Sequence, residues 1–247
     1  MIEEGRFITR GIIPGRYEKG PDYYDKEYFS SGKATEGIQF PQNGSYLNPE
    51  SEYCFKFQDL LRWIEGYISN GKILDVGCGP GRLAYWSNKL KRPFTIIGCD
   101  ISETILRLNL INPNDYINVI VSSASYLPFI SEQFDGILFS DILEHLSPEH
   151  AYSAVKDAYR LLKNKGRIFI KVPNRDTWSM ADYNDQGHVW LPSLEEVHDL
   201  LQIGGFNNET VNTFTRGFPL SQTIRRMVKK DLRFPYFGRA IFATAKK

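Results

Sequence analysis

The chain has 247 residues, 42% hydrophobic and 24% charged, with a formal net charge of +1. That length and balance suit one sizeable α/β domain with additions, and exclude a collagenous, low-complexity or strongly charged disordered chain. Three cysteines (Cys54, Cys78, Cys99) form no C-x-x-C pair, and their odd number argues against a disulfide framework and fits a reducing, cytoplasmic setting. The N-terminus has no apolar h-region and no run approaches the roughly 18 apolar residues of a membrane span, so no span is expected.

The charge is uneven along the chain. From Arg216 onward, nine Lys/Arg face one acid, Asp231. Such a basic segment is a solvated helix face or a contact for an anionic partner such as RNA.

Residues 1–48 read as an N-terminal cap, rich in Tyr, Gly and Pro, with one short helix near Asp22–Phe29. Tyr17, Tyr23, Tyr24, Tyr28 and Tyr46 make it too aromatic for a disordered tail. A helix is predicted over Pro49–Ser69, where Phe55, Leu60, Leu61, Ile64 and Ile68 recur at helical spacing. Five near-continuous apolar runs follow: Lys72–Val76, Phe94–Cys99, Ile117–Ser122, Phe134–Ser140 and Gly166–Val172. Runs of this kind suit strands buried on both faces of a parallel sheet. Between them lie helices with readable starts, at Ser147-Pro148 and at Ser193 with Glu196, the latter in capping-box form. The alternation predicts a doubly wound α/β sheet with helices on both faces. At the end, "ETVNTF" and "RAIFATAK" are expected to pair antiparallel, with a helical insertion over Phe218–Lys230. The chain is read as one domain: the cap, a cofactor-binding core over 49–215, and a basic insertion with the last strand over 216–247.

The stretch "KILDVGCGPGRLA" ends a strand on Asp75 and then places glycines at 77, 79 and 81. In an open α/β sheet, ligands bind beyond the carboxyl ends of the strands. No Lys-Ser/Thr follows these glycines, which argues against a mononucleotide P-loop, and Arg82 stands where a dinucleotide fingerprint needs its third glycine. A carboxylate before the turn suits an ammonium group, and N–H groups at the next helix start can face a carboxylate. The following strand ends in Asp100, a carboxylate able to accept two hydrogen bonds from paired ribose hydroxyls. A ligand with an amino-acid end and an adenosine is S-adenosylmethionine, with S-adenosylhomocysteine as its demethylated product.

The segments "ILDVGCGPG", "GCDIS", "ASYLPF", "FDGILFSDILEHL", "LLKNKGRIFIKVPN" and "HVWLPSLEEVHDLLQIGGF" follow one another over about Ile73–Phe206. In that order they resemble the class I S-adenosylmethionine-dependent methyltransferases, most of all the subgroup acting on small molecules that includes ubiquinone-biosynthesis and sugar methyltransferases. The resemblance implies a Rossmann-like seven-stranded sheet, mostly parallel, with an antiparallel last strand. It implies that Gly77 and Gly79 line the methionine end, Asp75 orients the ammonium, and Asp100 and Ile101 hold ribose and adenine. It sets Ala124 at the adenine edge, with Ser123 where family members often carry Asp, and Ser140 or Asp141 near the sulfonium. A hydroxyl accepts more weakly than a carboxylate.

Methyl transfer needs alignment above all, and a base only where the acceptor has a proton to lose. Candidates for the catalytic side are His188, in the loop after the fifth strand, Asp141, and His145, taken to begin the helix after the fourth strand. Tyr24 and Tyr28 are candidates for closing over the cofactor or the acceptor. Glu144 reads as a helix-start carboxylate, and His150 and His198 as structural or solvated. Metal-dependent catechol-type methylation needs clustered Asp/Asn ligands; Asp141 with Asn174 is the nearest approach, and no metal is expected. Three readings stand side by side: a small-molecule O- or N-methyltransferase, an RNA or protein methyltransferase using the basic segment, and a cofactor-binding partner subunit without its own turnover.

Overall fold

Apolar runs and amphipathic segments alternate through most of the chain, and the secondary structure follows them. The computed structural model describes residues 11–28, 52–109, 118–177, 184–216, 233–234 and 238–247. Its elements are α1 (Pro21–Tyr23) with a π-helical turn over Tyr24–Tyr28, α2 (Glu52–Glu65), β1 (Gly71–Val76), α3 (Arg82–Lys89), β2 (Phe94–Asp100), α4 (Glu103–Asn109) and β3 (Asn118–Val121). Then come β4 (Phe134–Ser140), α5 (Pro148–Leu161), β5 (Leu162–Pro173), α6 (Leu194–Ile203), β6 (Asn212–Arg216), β7 (Arg233–Phe234) and β8 (Ala240–Lys246). Strand order is β3-β2-β1-β4-β5-β8-β6-β7. β1, β2 and β3 are parallel, whereas β6 and β8 are antiparallel in the register Phe214↔Phe242. The seven strands expected are thus present, with the two-residue β7 added on β6.

Several boundaries differ from expectation for local reasons. α2 stops at Glu65, where Gly66 follows, instead of running to Ser69. β5 starts at Leu162, before Gly166, and Lys165 there takes a φ of 69°. The helix expected over Phe218–Lys230, with most of the basic segment, lies outside the described residues.

By internal contacts the chain forms two compact units, each discontinuous in sequence. The first to be considered, Lys19–Leu138 with Arg160–Arg167, carries the glycine loop. Ile73, Leu74 and Val76 of β1 and Ile96 and Cys99 of β2 are buried, with Leu61 and Ile64 of α2 and Leu83 and Trp86 of α3. Each fully buried aliphatic side chain of this kind contributes about 1.5–3 kcal/mol over its exposed state. The register Ile73↔Ile96 and Asp75↔Gly98 brings the carboxyl ends of β1 and β2 level.

The second unit, Met1–Glu18, Phe139–Tyr159 and Ile168–Lys247, carries the two buried histidines. Phe214 stacks on Phe242 at 5.6 Å, and Thr244 donates its hydroxyl to the Ile168 carbonyl. Part of the N-terminal segment is pinned to the stretch before α6. The amides of Ile13 and Leu191 donate to the carbonyls of Val189 and Gly11, and Ile12 bridges Trp190. A Cβ on Gly11 would lie 2.2 Å from the Leu191 carbonyl oxygen, so only glycine permits this approach.

The capping box is formed as the sequence predicts. Ser193 Oγ accepts from the Glu196 amide at 3.2 Å, and the Ser193 amide donates to Glu196 Oε2 at 2.7 Å. Ser193→Ala should therefore cost about 1 kcal/mol. Thermal unfolding should show it as a drop in Tm of roughly 2–4 °C, and an unchanged Tm would leave the box without a stabilising role.

Candidate functional site

Three glycines at alternate positions follow β1 because the backbone there turns left-handed three times. Gly77, Gly79 and Gly81 have φ of 70°, 53° and 76°. A side chain at any of them would be strained. The amides of Gly77 and Cys78 both donate to the Cys99 carbonyl, at 2.7 and 3.0 Å, which pins the loop across the end of β2. Gly98 allows this: a Cβ there would stand 2.6 Å from Cys78 Sγ. At Gly79 a Cβ would meet nothing within 4 Å, so the loop borders open space at that point.

Asp75 and Asp100 end adjacent parallel strands and are 6% and 8% exposed. Asp100 is held by the loop it faces. Its Oδ2 accepts from the Gly79 amide and its Oδ1 from the Ser102 amide, both at 2.9 Å. The Ile101 backbone adds a third contact to the carboxylate. Burial raises the Asp100 carboxyl above its ordinary range, against the lowering by those backbone amides. Asp75 is pushed further, to about 7, by burial and then by the charge of Asp100. A cationic group brought to Asp75 would reverse that shift.

The surroundings of Asp100 have a member that sequence reading missed. Asp25, in the π-helical turn, accepts from Ser102 Oγ at 2.5 Å and from the Thr104 amide at 3.2 Å. Ser102 Oγ itself accepts from the Ile105 amide, capping α4. The helix-start pattern of Ser102 was readable from the sequence; its bond to Asp25, 77 positions away, was not. The turn carrying the candidates Tyr24 and Tyr28 is thereby tied to the residues after Asp100, with Tyr24 half-buried. Ile101 and Ala124 are half-buried. Ser123 Oγ lies 2.9 Å from Ser125 Oγ and accepts from the Ser125 amide at 3.3 Å, so its acceptor capacity is partly used.

Ser140, Asp141, His145 and His188 belong to the other unit. Asp141 follows β4 with a φ of 59°, strained for a non-glycine residue. Its amide donates to the Lys171 carbonyl at 2.8 Å, and Lys171 Nζ donates to its carboxylate. Lys171 is 8% exposed and no local motif in the sequence marks it. His145 does not begin a helix. Leu143–His145 is a buried 3-10 turn, and α5 starts only at Pro148, after Ser147, whose hydroxyl accepts from the His150 amide. Glu144 is likewise no helix-start carboxylate; it is 1% exposed, and burial followed by the charge of Asp141 raises its carboxyl far above the usual range.

The Glu144 carbonyl accepts from the amides of Val189 and Trp190, at 2.8 and 3.1 Å, and so draws the loop after β5 back to this turn. The rings of His145 and His188 meet edge to face, 4.9 Å apart at 73°. Burial, and then the neighbouring His188, lowers His145 to about 4, which leaves it neutral at pH 7. Asn174 has a different role from a ligand: its amide donates to the Gly238 carbonyl and its oxygen accepts from the Asp176 amide. His150 is paired with Glu18, Nδ1 to Oε2 at 2.7 Å.

Residues 74–170 match the family model described as "Methyltransferase domain". An uncharacterized protein of Methanocaldococcus jannaschii is 30% identical over 167 residues, covering 64% of this chain and 75% of that one. The ubiquinone biosynthesis O-methyltransferase of Bartonella tribocorum is 30% identical over 139 residues, 53% of each chain, so the match spans about half of that relative's length. The crystal structure of an S-adenosylmethionine-dependent methyltransferase from Archaeoglobus fulgidus superposes with a TM-score of 0.65 at 22% identity, over 90% of this chain and 100% of that one. That likeness is one of fold. No helix among the described residues is long and apolar enough to cross a membrane.

Asp75 has a consequence for stability. Its folded pKa of about 7 lies above the ordinary 3.8, so the folded chain binds the extra proton. The resulting stability is complete below about pH 4 and is lost as pH rises through 7. Asp75→Asn should therefore stabilise the ligand-free protein at pH 8 by up to about 4 kcal/mol, and by little at pH 4. Tm measured against pH for both proteins checks this, and parallel curves would refute the buried, raised carboxyl.

Proposed function

The chain belongs to the class I S-adenosylmethionine-dependent methyltransferases, and from that premise we propose that it methylates an oxygen or nitrogen of a small molecule by in-line displacement. The observation that carries the cofactor's placement is the pair of buried carboxylates at the ends of β1 and β2, joined by the left-handed glycine loop. These residues fit an adenosine bearing an amino-acid arm with free ammonium and carboxylate. Asp75 would hold the ammonium and Asp100 the ribose hydroxyls, beside the backbone amides it already accepts from. Gly77 and Gly79 would let the methionine end approach the backbone, and Ile101, Ser123 and Ala124 would border the adenine.

When bound, the cofactor supplies a methyl carbon activated by sulfonium, whose bonding electrons return to sulfur on transfer. The chain's own residues bind, align and exclude water, which can supply most of such a reaction's acceleration. We assign Ser140 and Asp141 to the sulfonium side, where Lys171 fixes the Asp141 carboxylate. His145 and His188 face the acceptor as positioning groups. With its pKa lowered to about 4, His145 is too weak a base to take a proton at neutral pH. Tyr24 and Tyr28, on the turn anchored by Asp25, would contact the acceptor. The small-molecule class rests on the sequence relation to ubiquinone biosynthesis O-methyltransferases.

Calorimetry with S-adenosylhomocysteine tests the cofactor assignments. Asp100→Ala should weaken binding by about 10- to 100-fold, as expected for one or two hydrogen bonds to a charged group; equal affinity would sink the ribose assignment. Between pH 5.5 and 7.5, wild type should release protons on binding, because the ammonium lowers the Asp75 carboxyl from about 7. Heats compared in buffers of different ionisation enthalpy would show this, and Asp75→Asn should abolish it. An acceptor screen with radiolabelled cofactor tests the substrate class, and label appearing only in RNA or protein would overturn it.

A further inference from the structure

The geometry points to a divalent-cation site, for a first-row ion of the Zn²⁺ or Co²⁺ kind, formed by Glu144, His145 and His188. One ligand atom from each of the three lies within 4.8 Å of the others, and all three residues are buried, at 1%, 8% and 8% exposure. This inference does not depend on methyl transfer.

The second observation is the state of Glu144. Its Oε2 is buried and has no hydrogen-bond partner among the described residues. A buried oxygen left in that state is costly, and more so when charged. A cation bound by the two imidazoles and this carboxylate satisfies the oxygen and offsets its charge.

The surrounding backbone is built to hold the cluster. The Glu144 carbonyl anchors Val189 and Trp190, the residues that follow His188. Gly187 lets the loop close onto His145: a Cβ there would stand 2.8 Å from Nδ1. Asp185 shapes the same loop, its Oδ1 accepting from the Gly187 amide at 2.8 Å and its Oδ2 lying 3.9 Å from His188 Nε2. Arg16 Nη1 donates to the Asp185 carbonyl at 2.8 Å. Such outer contacts orient ligating imidazoles.

The donor set selects the ion. Two imidazoles with one carboxylate suit Zn²⁺ and its neighbours, whereas Mg²⁺ and Ca²⁺ are bound chiefly through oxygens. Three protein ligands also leave coordination open for an oxygen from water or an acceptor.

The test uses the full chain, freed of metal by chelator and dialysed. Titration with Co²⁺ should give visible ligand-field absorption saturating at one ion per chain, reversed by Zn²⁺. Glu144→Gln and His188→Ala should each weaken Co²⁺ binding at least 10-fold, with His198→Ala as the control that leaves it unchanged. Circular dichroism and S-adenosylhomocysteine binding establish that each variant is folded. Should either variant fail to fold, histidine-ring NMR of the wild type decides: Zn²⁺ must shift the resonances of His145 and His188. No saturable Co²⁺ absorption, equal binding by the folded variants, or ring shifts confined to His150 and His198 would overturn the site. In that event a protonated Glu144 bonded within the cluster accounts for its burial.

Discussion

Two carboxylates buried side by side at the ends of neighbouring parallel strands are hard to keep in one protein. Both lose water, and Asp75 also feels the charge of Asp100 while Asp100 feels that of Asp25; these effects favour protonation. What restrains Asp100 is a set of backbone amides, that of Ser102 first and then that of Gly79, which the left-handed glycine loop brings to the carboxylate. That loop requires its own anchor on the Cys99 carbonyl, which in turn requires Gly98 to leave room for Cys78. The order of residues from Lys72 to Ser102 is thus one connected answer to an electrostatic problem. Asp75 remains the unanswered part, its carboxyl raised to about 7 with no lowering contact among the described residues.

A similar tension exists in the other unit. Lys171 is buried beside Asp141, whose backbone is strained. Desolvating an ion pair of this kind consumes most of its attraction, so stability alone is a poor reason to retain it. Its value lies in fixing a carboxylate at the carboxyl end of β4, where open α/β sheets hold their ligands.

Much of the fold was legible because parallel strands buried on both faces leave an unbroken apolar signature. Phe134–Ser140 matches β4 at both ends, and the Ser193–Glu196 box is where its spacing puts it. The glycine loop was legible because three left-handed positions in five residues leave little choice of side chain. Elements set by distant contacts were not. The start of α5 at Ser147-Pro148 was readable and left no helix for His145 to begin, but its place in a buried 3-10 turn was not readable. The meeting of Glu144, His145 and His188 depends on two backbone amides returning to one carbonyl, which no local pattern announces. Asp25 reaches Ser102 from a segment whose aromatic content signalled packing but not its direction.

The pairing of residues 11–13 with 189–191 changes what kind of loop carries His188. A free loop after β5 could move as an isolated lid on nanosecond-to-microsecond timescales. Here it is held on two sides, by the Glu144 carbonyl and by an isolated bridge to the N-terminal segment. Opening it means parting hydrogen bonds on both sides together, so the N-terminal segment and the loop form one cooperative unit. Residues 11–13 therefore share in setting the free energy of access to the histidines, and a side chain placed at Gly11 would act on buried residues far away in sequence.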